Sequence, residues 1–467
     1  MHFLYTFLFS LAVPFILLRL YWRGFKASDY RHRWAERLGF YQGTAQTSVL
    51  WFHAVSVGEV EAVAPLVRHF LEQPSPTKIL LTTTTPTGSA RVTALFEGVV
   101  EHVYLPYDLP VVVSRFLKHF QPKIAIIVET EIWPNLYAGC GKNNIPLVII
   151  NGRLSESSVA GYRKIRSLVK KTLSNVSVIA TQTEQDSVRF QEIGAATDNV
   201  QTVGNIKFDL TVSEIVLLEG ELLKEVVFAN RFVFLAASTH NGEEEILLKI
   251  YQRVKKQHPN LLLVLVPRHP ERFQAVTALS QKYNFNTITR SSGQLCDQST
   301  DVYVADTMGE LRMIYAGADI AFIGGSLVPH GGQNALESAV VGTPILLGPY
   351  MMNFREITQG LLAVDGAIQC SDEAEVEDQL CRLIDDAEKR QEMVKQAKHF
   401  VTKNQGALAL ITTLVAGLLS STNQTRTKRE TETIPERKDN IQRQTPPITL
   451  KSSLYFIGQL AKETPIQ

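Results

Sequence analysis

The chain has 467 residues, 45% of them hydrophobic, enough for two domains with cores of their own and further segments besides. Lys and Arg total 47 against 46 Asp and Glu, so the net charge is +1 and no global positive field draws the protein to nucleic acid. Its cysteines, Cys140, Cys296, Cys370 and Cys381, form no Cys-x-x-Cys pair and no Cys/His cluster, which excludes a zinc module on spacing and points to reduced thiols in a cytosolic body.

The first element is the apolar run Phe3–Trp22, about the length that crosses a bilayer core, with Arg19 near one end where it can snorkel. Arg23, Lys26, Arg31, Arg33 and Arg37 all follow it. A cleaved signal has the opposite order, and the positive-inside rule places the body in the cytoplasm. A helix kinked at Pro14 and lying in the interface fits equally, so membrane association is expected and a span is left open. Arg31, Arg33 and Arg37 flank Trp34, a pattern suited to anionic headgroups or to a merely solvated basic face.

Beyond the anchor, short apolar runs alternate with helical patterns, as in parallel α/β layers. The runs are Val49–His53, Ile79–Thr83, His102–Leu105, Ile124–Glu129, Leu147–Asn151, Val178–Thr181 and Thr202–Gly204. The rhythm restarts at Phe232–Ala236 and continues through Leu261–Val266, Val302–Ala305, Ile320–Ile323 and Pro344–Leu347. Thr211–Asn230, between the series, is a charged helical connector. The expected organisation is an anchor at 1–22, an N-terminal domain at 23–210, a connector at 211–230, a C-terminal domain at 231–420 and a polar tail at 421–467, the tail too poor in apolar residues to fold alone.

Chemistry-bearing residues fall at the strand ends, where an open α/β sheet binds ligands. In H-A-V-S-V-G-E-V-E-A, His53 to Ala62, Glu59 opens a helix; it suits a general base toward a hydroxyl, and equally an acid complementing the helix N-terminus. E-T-E-I-W-P-N, Glu129 to Asn135, sets two carboxylates beside Trp133, with Glu131 suited to hydrogen bonding the following turn. No third ligand stands at metal-binding spacing, so no metal is expected. G-N-I-K-F-D, Gly204 to Asp209, brings Lys207 to the domain junction, where its charge can neutralise a phosphate or carboxylate unless it is an ordinary exposed lysine.

Three segments of the second series follow. V-P-R-H-P-E-R, Val266 to Arg272, offers Arg268 as a fork for phosphate, with His269 as an orienting group. D-T-M-G-E-L, Asp306 to Leu311, has in Met308–Glu310 a backbone that can line a base pocket. Ile320–Gly348 is strand, glycine-rich loop, helix start and strand. Gly324, Gly325, Gly331 and Gly332 permit tight turns and close approach to a ligand, the helix start offers amides to an anion, and Glu337 is placed to accept from ribose hydroxyls.

Taken in order, these motifs resemble the Kdo transferases, which move 3-deoxy-D-manno-oct-2-ulosonic acid from CMP-Kdo to the lipid A precursor. The resemblance runs from about Leu4 to Leu414 through R-x-R-x-x-E-R-x-G from Arg31, S-V-G-E from Ser56, L-P-Y-D from Leu105 and the later motifs given above, ending in G-G-x-N-x-L-E. It implies a GT-B fold, two doubly wound Rossmann-like domains facing a cleft, with the acceptor on the N-terminal domain and the CMP-sugar mainly on the C-terminal one. It implies further that Glu59 is the catalytic base and that Glu129 and Lys207 stabilise the transition state. Pro267 and Arg268, Met308, Gly309 and Glu310, and Asn334, Ala335, Leu336 and Glu337 match its CMP-binding segments. The implied donor is CMP-Kdo with no cofactor and no metal, the acceptor is lipid IVA, and the location is the cytoplasmic face of the inner membrane.

Overall fold

The N-terminal apolar runs build one parallel sheet from β1 (Leu50–His53), β2 (Ile79–Thr83), β3 (Glu101–Tyr104), β4 (Ile124–Val128), β5 (Leu147–Gly152), β6 (Val178–Thr181) and β7 (Val200–Thr202), in the order β3-β2-β1-β4-β5-β6-β7. The computed structural model from which this is read describes residues 1–25, 27–43, 49–73 and 78–432. The central strands are apolar on both faces because helices cover both; β4, I-A-I-I-V, has no exposed residue. Each such large side chain removed from water contributes about 1.5–3 kcal/mol, which fixes the pairing and with it the position of the loops at the strand ends.

The C-terminal half repeats the design with β8 (Phe232–Thr239), β9 (Leu261–Pro267), β10 (Thr287–Thr289), β11 (Val302–Val304), β12 (Ile320–Ile323), β13 (Ile345–Leu347) and β14 (Ile368–Gln369), in the order β10-β11-β9-β8-β12-β13-β14. This is the pair of doubly wound sheets expected of a GT-B protein. Strand order reverses between β1 and β4 and between β8 and β12, the places where open α/β sheets in general bind their ligands. The sequence reading misses β10 and β14. Both are sheet edges of two or three residues, with one isoleucine each and no apolar run to announce them.

Two segments sit differently from the sequence expectation. The expected C-terminal domain extends to residue 420, yet in helix Ala407–Glu432 the residues Ala407, Ile411 and Val415 pack with Ile206 into the core of the N-terminal sheet. Their four-residue spacing is one helix face, and the partner lies some two hundred residues earlier in the chain. Asp209 fastens the crossing, its Oδ1 accepting from the Gly406 N–H (2.6 Å) and its Oδ2 from the Leu408 N–H (2.8 Å). This helix also runs to Glu432, past the onset of the polar composition, whose Lys, Arg and Glu are adequate helix formers. The rest of the tail, 433–467, lies outside the described residues.

Arg33 and Arg37 correct the headgroup reading. Arg37 is buried, stacks over the Tyr104 ring at 4.0 Å and donates to the Thr84 carbonyl (2.9 Å). Arg33 donates to Ser89 Oγ (3.0 Å) and the His102 carbonyl (2.7 Å). Both guanidiniums are spent on the body, since carbonyl and aromatic partners there replace their water. Arg31 turns onto Phe25, 4.0 Å from the ring centre. The thiols fit expectation: all four cysteines are free, and Cys140, Cys296 and Cys370 are buried.

Candidate active site

After β1 the chain turns through Ser56, the N-cap of helix Val57–Leu71, and Glu59 is the third helical residue. Ser56 accepts from the Glu59 N–H (3.4 Å), and the Glu59 carboxylate accepts from Ser56 Oγ (3.0 Å) and from the Val55 N–H (2.8 Å). This is a capping box, so Glu59 does organise the helix start. Its carboxyl is also pushed up from 4.5 to about 7, by burial first and by the charge of Glu129 next, against the hydrogen bonds that favour ionisation. A carboxyl at this value exchanges its proton near neutral pH.

Glu129 leaves β4 with φ of 59°, a left-handed conformation uncommon for a glutamate. Its N–H is held by the Ile150 carbonyl (2.9 Å), which leaves the side chain to meet Lys207, whose Nζ lies 3.3 Å from Glu129 Oε1. Lys207 is presented by a tight turn, Ile206–Phe208, capped by Asn205 and tied to β5 through Asn151 Oδ1, which accepts from the Ile206 N–H (3.1 Å). Glu59, Glu129 and Lys207 therefore converge at one end of the N-terminal sheet. Glu131 does what its position suggested, accepting from the Trp133 indole N–H (2.7 Å).

Several residues here carry weight that the sequence did not reveal. Asp108 of L-P-Y-D caps helix Pro134–Lys142, accepting from the Asn135 (2.9 Å) and Leu136 (2.7 Å) N–H groups; its partner lies 27 residues on, beyond any local pattern. His53 is fully buried with Nδ1 on Thr82 Oγ1 (2.9 Å), and its Nε2 lies 4.0 Å from Glu131.

In the C-terminal half, Pro267 closes β9 and the Arg268 N–H bonds the Thr239 carbonyl (3.0 Å). The half-buried Arg268 guanidinium makes no hydrogen bond or ion pair among the described residues. By contrast Arg272, four residues on, is committed to the buried Glu244 through both of its terminal nitrogens. Beside Arg268 stand three imidazoles, of which the sequence offered only His269: His240 stacks on His330 with ring centres 4.4 Å apart and meets His269 edge-on at 5.5 Å. Burial, with these neighbours and the two arginines, brings His240 down to about 4, so it is neutral at physiological pH.

The first amides of the glycine-rich loop, ahead of the helix start, are used inside the protein. Those at Gly325 (2.6 Å), Ser326 (2.9 Å) and Leu327 (2.9 Å) are already taken by the carboxylate of Glu243, a fully buried residue that also accepts from the His240 N–H (2.9 Å). The anion in this nest is the protein's own. The glycines serve close approach within the protein: a Cβ on Gly324 would meet the Ser238 carbonyl oxygen at 2.4 Å, and one on Gly332 would meet Met351 Sδ at 2.2 Å. Glu337 sits in the first turn of a short helix, Leu336–Val341, and pairs with Arg312 Nε (3.1 Å). Asn334 Oδ1 accepts from the Leu336 N–H (3.1 Å) across Ala335. The Glu310 side chain is clamped by Arg290 (2.8 Å), which holds it below the usual carboxylate range, so this segment presents Met308 and Gly309 and only the backbone of Glu310.

Residues 32–210 match the family model described as 3-Deoxy-D-manno-octulosonic-acid transferase (kdotransferase). Over 409 residues, 87% of this chain and 96% of the relative, the sequence is 41% identical to the 3-deoxy-D-manno-octulosonic acid transferase of Haemophilus influenzae. Among solved structures it is similar to the C-terminal CMP-Kdo binding domain of WaaA from Acinetobacter baumannii (34% identity, 40% of this chain and 98% of that one, TM-score 0.39). It is also similar to Anabaena Alr3699/HepE in complex with UDP, a likeness of fold at 13% identity (80% of this chain, 100% of that one, TM-score 0.50). The carboxylates and the lysine gathered at the N-terminal sheet thus stand in an enzyme that transfers a sugar, and the chain belongs to the 3-deoxy-D-manno-octulosonic acid transferase family.

Proposed function

We propose that the enzyme transfers Kdo from CMP-Kdo to lipid IVA at the cytoplasmic face of the inner membrane, inverting the anomeric centre without a metal ion, with Glu59 as general base. The observation that carries this is a half-buried carboxyl raised to about 7 at the C-terminal end of the sheet, beside the Glu129–Lys207 pair. The ionised Glu59 takes the proton of the acceptor hydroxyl as that oxygen attacks the anomeric carbon. The bond from that carbon to the CMP phosphate oxygen breaks on the opposite side, and CMP leaves with the electron pair. Attack opposite the leaving group inverts the centre. Lys207, oriented by Glu129, stabilises the developing negative charge, and Arg268 meets the phosphate of the donor. Incubating the purified protein with CMP-Kdo and lipid IVA and weighing the lipid product tests this: a mass gain of one or more Kdo units is expected, and unchanged acceptor with intact protein overturns it.

Two further expectations follow from the same charges. With Lys207 and Arg268 supplying the positive charge, turnover persists in excess EDTA; loss on chelation with recovery in Mg²⁺ refutes the metal-free scheme. Glu337 is the proposed ribose clamp, released from Arg312 when the donor binds. Glu337→Ala then weakens donor binding about tenfold, and a 2′-deoxy donor loses little more against that variant; strict additivity of the two changes, measured by calorimetry, excludes the contact.

A further inference from the structure

We infer that helix His2–Arg23 lies in the plane of the membrane against the catalytic body, and that it does not cross the bilayer. A 22-residue helix is roughly 33 Å long, about the thickness of a hydrocarbon core. In a span whose body follows its C-terminal end, Tyr5 and Thr6 would stand nearly that whole thickness away from the body. Instead Tyr5 Oη donates to Asp108 Oδ2 (2.9 Å), Thr6 Oγ1 donates to Asn135 Oδ1 (3.0 Å), and Phe9 meets Trp133 edge-on with ring centres 6.2 Å apart. The other end is tied as well, by Arg31 over the rings of Phe25 (4.0 Å) and Tyr21 (5.0 Å) and by Arg23 over Tyr30 (5.2 Å). The N-terminal end of the helix thus touches the body that its C-terminal end leads into, and a transmembrane path keeps the far end away from that body.

The opposite face identifies the partner as lipid. Phe3, Phe7, Leu11, Phe15, Leu18 and Trp22 recur every three or four residues, each more than half exposed, and form one apolar stripe along the helix. Arg19 and Arg23 stand at its end, where long basic side chains reach the phosphate level from a helix lying in the interface. The surface thus fits the acyl chains and anionic headgroups of one leaflet. Asp108 and Trp133 belong to the loops that lead into the site, so a body seated this way opens its acceptor side toward the membrane surface.

Two measurements on the full-length protein in native membranes test this. In the first, a biotin-acceptor peptide fused ahead of Met1 is exposed in intact cells to a cytoplasmic biotin ligase. Biotinylation is expected for the in-plane helix, and an unmodified tag on folded, membrane-bound protein overturns it. In the second, on a Cys381→Ser background, His2→Cys with Lys142→Cys, positions that line one cavity between helix and body, is treated with a short bismaleimide, Leu18→Cys with Lys142→Cys serving as the distant control; the native Cys140, Cys296 and Cys370 are buried and do not compete. Cross-linking of the first pair at least tenfold above the control is expected. Equal yields in a protein with wild-type thermal unfolding refute the docking, and recovery in the soluble fraction as a dimer refutes lipid as the occupant.

Discussion

Glu59→Gln lowers turnover by at least about a hundredfold while leaving CMP affinity within twofold, because it removes the proton acceptor and keeps the shape of the capping box. A single preparation measured for both quantities decides it, and near-normal turnover removes Glu59 from the mechanism. Wild-type kcat/KM rises with pH through about 7 as the base ionises, and the variant loses this limb. Stability moves the other way. A carboxyl of ordinary value near 4.5 in the unfolded chain and about 7 in the fold binds a proton preferentially in the folded state between those values, so the wild-type protein loses stability as pH rises across that window. Glu59→Gln is spared this loss. Thermal unfolding of the two proteins therefore diverges at pH 8, with the variant the more stable, and converges near pH 4.5.

Lys207→Ala costs about a hundred- to a thousandfold in kcat, the effect of removing one preorganised charge from a developing anion. It has a second effect that a merely weakened phosphate contact would lack. The lysine compensates Glu129, and the charge of Glu129 already pushes Glu59 up; without Lys207 the acid limb of the rate profile moves to higher pH. Glu129→Gln moves the limb the other way, since the raising charge is gone. Profiles of the residual activity in both variants give the test, and shifts of the same sign refute the coupled pair.

The fold was legible in the sequence wherever a strand is buried on both faces, because an uninterrupted run such as I-A-I-I-V has no other stable use. It was illegible at the two edge strands and at the helix that returns to the N-terminal core, where the deciding contact is remote in sequence. At the site, the positions of Glu59, Glu129 and Lys207 follow from strand ends alone, and the structure brings them together. Their roles as base and stabilisers rest on the family resemblance and on the experiments above. The glycine-rich loop shows what spacing hides. Its amides do hold an anion, but the anion is Glu243, a residue about eighty positions earlier among three consecutive glutamates that look like an ordinary acidic helix start. Asp108 and His240 were hidden for the same reason.

The Asp209 clasp on the amides of Gly406 and Leu408 bears on how the two halves of this transferase can move. The chain crosses between them twice, outward just after Asp209 and back just before Ala407, and one carboxylate binds the two crossings together. Were the halves to close on a bound donor, the rotation would have its axle at this point. Lys207 lies only two residues from that axle, on the N-terminal side, while Arg268 and Glu337 ride on the far arm. Such a swing of the far arm would carry the proposed donor-binding groups through an arc and leave the lysine almost where it is, still beside Glu129. In the proposed mechanism the stationary charge would be the fixed jaw of a vice into which the donor is brought.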